Sequence, residues 1–208
     1  MRRLSATACL FGLIALLVAC GGNDDQNVSS SSSSRSSPSP GAGARAEQVQ
    51  DVTPKPVPDL TLKTLDGRSI RLAQQEGRVL LINFWATWCG PCRKEIPDLK
   101  ALHSKFNSKG LTVIGVALDR KGREVVKPYV EEQAIDYPIV VDSEGTVEAA
   151  FGPIRGLPTT VVVNANGKIT KRILGLFPTD QMRPVLRELL AAGGASSGPT
   201  GPGTGPTS

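Results

Sequence analysis

Phe84-Trp85-Ala86-Thr87-Trp88-Cys89-Gly90-Pro91-Cys92 is the stretch from which the fold is read. It closes an apolar run over residues 79–85, whose length suits a central β-strand covered on both faces. Downstream, Ile96, Leu99, Leu102 and Phe106 recur at helical spacing until Lys109-Gly110 ends the pattern. The chain therefore passes from strand to helix through the Cys-Gly-Pro-Cys turn. Pro97 falls inside that helix and is expected to kink it near its first full turn. Upstream, Leu60 and Leu62, an Asp66-Gly67 turn, then Ile70 and Leu72 predict a β-hairpin. Beyond the helix, strands are expected over 111–118 and 139–141, and helices over 124–133 and 146–151. Residues 159–163, turned by Asn166-Gly167 into 169–174, read as an antiparallel hairpin, and a last helix covers about 180–192 despite Pro184. This order implies an α/β fold, with helices packed on a mixed sheet.

Two cysteines three residues apart, at the start of a helix, have a definite chemistry. The helix dipole and the unpaired N–H groups of the first turn favour a thiolate, so the first cysteine titrates below the ~8.5 of a free thiol. Cys89, ahead of the helix, is the candidate nucleophile; Cys92, one turn in, is the candidate resolving thiol. Pro91 suits this place because no backbone donor is needed in the first turn.

The flanks have another character. Arg2 and Arg3, an apolar run over residues 10–19 and Leu17-Val18-Ala19-Cys20 read as a targeting signal that is short for a membrane span. The Leu-Val-Ala-Cys step resembles a bacterial lipobox, which implies a signal peptide over 1–19 and a chain that begins at lipidated Cys20; a plain secretory signal or an uncleaved anchor are the alternatives. Residues 20–56, rich in Ser, Pro and Gly, read as a disordered tether with an r.m.s. reach of roughly 30 to 35 Å. Residues 57–192 form the expected domain, and 193–208 a disordered Gly/Pro/Thr tail. A net charge of +5 without a long Lys/Arg run argues against nucleic-acid binding.

With Cys9 discarded and Cys20 acylated, Cys89 and Cys92 are the remaining thiols, and His103 is the one histidine. A structural zinc site needs four ligands, more than this set supplies. A purely structural disulfide is geometrically allowed, although so short a loop removes little chain entropy. Redox exchange is the third reading.

The strand Asn83-Phe84-Trp85-Ala86-Thr87, the following Trp-Cys-Gly-Pro-Cys, Pro97, and Gly156-Leu157-Pro158-Thr159-Thr160 ahead of a strand together resemble the thioredoxin superfamily. More narrowly they resemble its TlpA/ResA branch of extracytoplasmic thiol-disulfide oxidoreductases, over about residues 57–192, with 119–142 similar to the helix-strand insertion of that branch. The resemblance implies a redox-active Cys89-Cys92 disulfide, a cis Pro158 facing it, and Leu157 offering its backbone to an extended substrate. It also implies that Glu95 is a buried or semi-buried acid shaping proton traffic at the dithiol; a solvated glutamate beside the helix N-terminus is the alternative. Asn83 stands where cytoplasmic thioredoxins carry a buried aspartate. Trp85 is expected in the core, Trp88 partly exposed as a partner contact alongside Gly90 and Pro91, and His103 on the surface. Arg120, Lys121 and Arg123 read either as a solvated turn or as a dock for an acidic partner.

The expected function is thus a membrane-anchored, extracytoplasmic thiol-disulfide oxidoreductase that needs no metal and no cofactor. Gly-Pro between the cysteines resembles thioredoxin, whose potential near −270 mV is far more reducing than the roughly −120 mV of the oxidant DsbA, and this favours a reductase. The family analogy adds a membrane electron donor of CcdA or DsbD type and a protein disulfide substrate, with apocytochrome c as one candidate. Competing readings are a dithiol oxidase or isomerase, a thiol peroxidase, and a non-redox binding or metallochaperone module. The peroxidase pattern P-x-x-x-T-x-x-C is not met, because Ala86 and Ile82 stand three and seven residues before Cys89.

Overall fold

The computed structural model of the protein describes residues 49–195. The signal, Cys20, most of the expected tether and the tail beyond residue 195 lie outside the described residues. In chain order the first strands are β1 (Val49–Pro56), β2 (Thr61–Lys63), β3 (Ser69–Arg71) and β4 (Val79–Trp85). Helix α1 (Gly90–Phe106), β5 (Leu111–Ala117), α2 (Arg123–Glu132), β6 (Ile139–Val141) and α3 (Thr146–Phe151) follow. The hairpin β7 (Thr159–Val163) and β8 (Lys168–Leu174) leads to α4 (Thr179–Ala195).

Six strands form one mixed sheet in the order β1-β8-β7-β4-β5-β6. β4, β5 and β6 are parallel, whereas β7 runs antiparallel to β4, β8 to β7 and β1 to β8. The α/β reading therefore holds, and the expected insertion corresponds to α2 with edge strand β6.

Every residue of β4 and β5 is buried, as their apolar runs require. Alternation along β4 divides the core between the two faces of the sheet. Val79, Leu81 and Trp85 pack with Leu99, Leu102 and Phe106 of α1 and Met182 and Leu186 of α4. Leu80, Ile82 and Phe84 pack on the other face with Leu62, Leu72 and Phe151. Each such buried side chain contributes about 1.5–3 kcal/mol, so the middle of the sheet is the rigid part on which the Cys-Gly-Pro-Cys turn is mounted.

Two sequence expectations need correction. Residues 49–56 are not tether but a strand, paired with β8 from Val49↔Ile173 to Pro56↔Lys168 with an irregularity between Asp51 and Lys55. Its two prolines and its lysine fit an edge strand, where a missing N–H costs little and further pairing is discouraged. At the other end, α4 runs to Ala195, beyond the expected limit of 192. The hairpin of β2 and β3 docks on the opposite edge of the sheet through the Leu65 N–H bond to the Ile139 carbonyl (2.6 Å) and the Thr64↔Val140 bridge. The β6 edge is thus covered, and β1 forms the other edge. Among the described residues, no helix is long and apolar enough to cross a membrane.

Candidate active site

β4 ends at Trp85, and residues 86–89 turn the chain into α1. A buried acid pins this turn: Asp119 accepts hydrogen bonds from the Thr87 N–H (3.1 Å) and the Thr87 hydroxyl (2.6 Å). Sequence reasoning missed Asp119, whose partner lies 32 residues away in a loop that reads only as charged. Cys89 then caps α1 with extended backbone (φ −80°, ψ 107°), and its Sγ accepts from the Cys92 N–H at 3.2 Å. Gly90 and Pro91 fill the first turn, where Pro91 forfeits no intrahelical bond. The helix continues past Pro97 to Phe106, although Pro97 has no N–H to offer the Arg93 carbonyl.

Cys89 and Cys92 are joined in a disulfide with Cα atoms 5.3 Å apart. Cys92 is fully buried, while Cys89 keeps 5% of its surface, so the outer sulfur is more covered than its place ahead of the helix implies. Any approach from solvent still meets Cys89 first. Trp88 beside it is 70% exposed, and Trp85 is buried against Tyr129 with ring centroids 5.7 Å apart.

Glu95, one turn beyond Cys92, is almost wholly buried. Its Oε1 accepts from the Asn83 side-chain amide (2.7 Å) and its Oε2 from the Phe177 N–H (2.9 Å). The same amide donates to the Thr160 hydroxyl oxygen at 3.0 Å. The Glu95 pKa is raised from 4.5 to about 7 overall, chiefly by burial, against the downward pull of its two donors and with a smaller upward push from Asp98. The solvated alternative for Glu95 is thus excluded. An acid does occupy the neighbourhood of Asn83, supplied by the helix rather than by the strand.

The Leu157-Pro158 peptide bond is cis. Antiparallel pairing of β7 with β4 sets Thr159 opposite Phe84, so the loop ahead of β7 lies at the sheet end where β4 leads into the cysteines. The Pro158 carbonyl accepts from the Gly175 N–H (2.8 Å), while Leu157 makes no backbone hydrogen bond among the described residues.

His103 departs from the surface expectation. It is half-buried, its ring centroid lies 6.2 Å from that of Tyr137, and its buried Nδ1 has no hydrogen-bond partner among the described residues. It sits between Leu102 and Phe106 on the flank of the buried stripe, where burial lowers its pKa. Arg120, Lys121 and Arg123 are exposed on the loop held by Asp119 and at the start of α2, and none forms an ion pair among the described residues.

Comparison with known proteins agrees with this geometry. The AhpC/TSA family pattern matches residues 53–172. The thiol-disulfide oxidoreductase ResA of Geobacillus thermodenitrificans is 33% identical over 132 residues, which is 64% of this chain and 75% of that protein. ResA of Bacillus thuringiensis is 32% identical over 136 residues, 65% of this chain and 77% of the relative. Among solved structures, a thiol:disulfide interchange protein of the thioredoxin family from Chlorobium tepidum superposes with a TM-score of 0.60 and 32% identity, covering 68% of this chain and 99% of its own. A secreted thiol-disulfide isomerase from Corynebacterium glutamicum gives 0.63 and 25%, covering 74% and 95%.

Proposed function

Since the chain belongs to the AhpC/TSA family of the thioredoxin superfamily and is a thiol-disulfide oxidoreductase of the ResA type, we propose that it reduces protein disulfides outside the cytoplasm, held to a membrane through Cys20. The observation that carries this reading is the asymmetry of the Cys89-Cys92 pair at the N-terminus of α1. Cys92 is fully buried while Cys89 keeps a little accessible surface, so attack and resolution are divided by position.

In the reduced protein, the Cys89 thiolate attacks one sulfur of a substrate disulfide, and the other leaves as a thiolate that takes a proton. The Cys92 thiolate then displaces the second substrate sulfur from Cys89. Two electrons have passed to the substrate, and the Cys89-Cys92 disulfide is the end state. Glu95, one turn from Cys92 and with a pKa near 7, is suited to hold or release the proton of the inner thiol. Leu157, with its backbone N–H and C=O unpaired among the described residues, is suited to take an extended substrate by strand addition, with Trp88, Gly90 and Pro91 as the facing contacts. An oxidising envelope returns such a dithiol to the disulfide, so the cycle needs a membrane dithiol donor of CcdA or DsbD type. The C-x-x-C-H of apocytochrome c is a substrate of matching chemistry.

A peroxidase reading lacks its hydroxyl, because Ala86 and Ile82 are fully buried apolar residues. The test is dithiothreitol-driven insulin reduction: wild type is expected to turn over, and Cys89→Ser to fall to background. Cys92→Ser is expected to accumulate a covalent adduct through Cys89, seen by mass spectrometry. A dithiol potential above about −180 mV, the level of protein disulfide isomerase, reverses the proposed direction.

A further inference from the structure

A groove of about 330 Å³ opens beside the loop of Pro158, between the β1–β8 edge and the end of α3. Lys55, Arg155 and Arg172 line it, with Gln50 and Leu174, and among the described residues no acidic residue does. The grooves beside Trp88, Glu95 and Tyr137 each mix acids with bases, so this absence of acids is local.

Arg172 is the informative member. It is half-buried, and burial lowers its pKa from the usual guanidinium range without threatening its charge. Its hydrogen bonds go to the backbone carbonyls of Phe151 (2.7 Å) and Pro153 (3.5 Å), which leaves guanidinium donors unused. Neither Arg172, Arg155 nor Lys55 meets a carboxylate among the described residues. Asp51, on the same strand as Lys55, is engaged by Lys171 instead. Three cations around one partly desolvated groove, without a counter-charge among the described residues, fit an anion that arrives from outside.

The groove's position says which anion. Thr159, in its wall, directly follows Pro158. Leu174, 44% exposed, is the register partner of Thr159, and the next residue, Gly175, bonds the Pro158 carbonyl. An extended polypeptide advances about 3.3 Å per residue, so a chain paired with Leu157 that continues past Leu174 reaches the groove within a few residues. We propose that Lys55, Arg155 and Arg172 form a subsite for an acidic side chain that flanks the disulfide of a polypeptide substrate. The proposal rests on the reductase reading above and adds to it a class of preferred substrate.

The experiment uses the full chain and synthetic peptides, each closed by one disulfide, with Asp, Ser or Lys at positions two to six on either side of the cystine. The Asp peptide is expected to show about tenfold higher kcat/KM than the Ser peptide at low ionic strength, and the Lys peptide a lower value. The advantage should shrink in high salt. In Lys55→Ala and Arg155→Ala, both at exposed positions, the Asp-to-Ser ratio is expected to fall toward one. Arg187→Ala, which removes the same charge from an exposed position on α4, should keep the ratio. Anisotropy of labelled peptides with serine in place of cysteine reads the subsite without any redox step, so failure to reduce the Ser peptide counts against the reductase reading alone. Equal rates and equal binding of Asp and Ser peptides in wild type overturn the subsite. So does a ratio that survives both groove variants, a ratio lost equally in Arg187→Ala, or loss of binding to anionic vesicles in those variants with no discrimination among peptides.

Discussion

Glu95 concentrates the chemistry of single residues. Its carboxyl titrates at about 7 in the fold and at 4.5 in an unfolded chain, so between these values the native protein binds the extra proton. Stability is then fully present below 4.5, declines as pH rises toward 7, and levels off above it. The shift corresponds to at most about 3 kcal/mol. Glu95→Gln, which cannot ionise, should therefore gain on wild type as pH rises through that window. Urea melts of both proteins at pH 4.5 and pH 8 check it, and a difference that stays constant between the two refutes the linkage. The glutamate was legible as a candidate because it stands three residues after Cys92, and the family resemblance implied its burial, but spacing left the solvated alternative open. The buried setting depends on Asn83 and on Phe177, which lies 82 residues away, and spacing along one helix cannot report a bond across the domain.

At the scale of elements, the strands that read clearly were those whose burial is written in their composition. β4, β5 and β7 are mostly apolar and wholly buried, and their limits fell within a residue of expectation. β1 was invisible for the opposite reason. Val49-Gln50-Asp51-Val52-Thr53-Pro54-Lys55-Pro56 has only two apolar aliphatic residues, and both lie partly buried, so pairing with β8 rather than propensity makes the strand. Close approach between elements is a further feature no periodicity shows. Gly115 of β5 leaves so little room that a Cβ would stand 2.7 Å from Ile139 Cδ1, 3.0 Å from Trp85 Nε1 and 3.2 Å from Tyr137 Cε2. Gly115→Ala is expected to cost about 1–3 kcal/mol through forced repacking. Thermal melts measure the loss and the emission of Trp85 should shift with it; a melting point equal to wild type contradicts the steric account.

For the whole molecule, β1 closes an edge that would otherwise offer a row of free backbone groups on β8. A chain that starts at residue 57 should melt at lower temperature than one that starts at 49 and should associate as its concentration rises. Sedimentation of both over a concentration series decides this, and identical monomers with identical melts reject it. The opposite flank holds the inserted segment, α2 and β6. From it Tyr129 leans on Trp85, and Tyr137 and Ile139 crowd Gly115 next to that same indole. The insertion has thus become masonry at the reactive end rather than ornament on its rim. A lineage that grafts a different segment there rebuilds the wall next to the sulfurs while leaving β4 and α1 alone. Descendants of one ancestral oxidoreductase can in this way diverge in the company they keep without relearning how to move electrons.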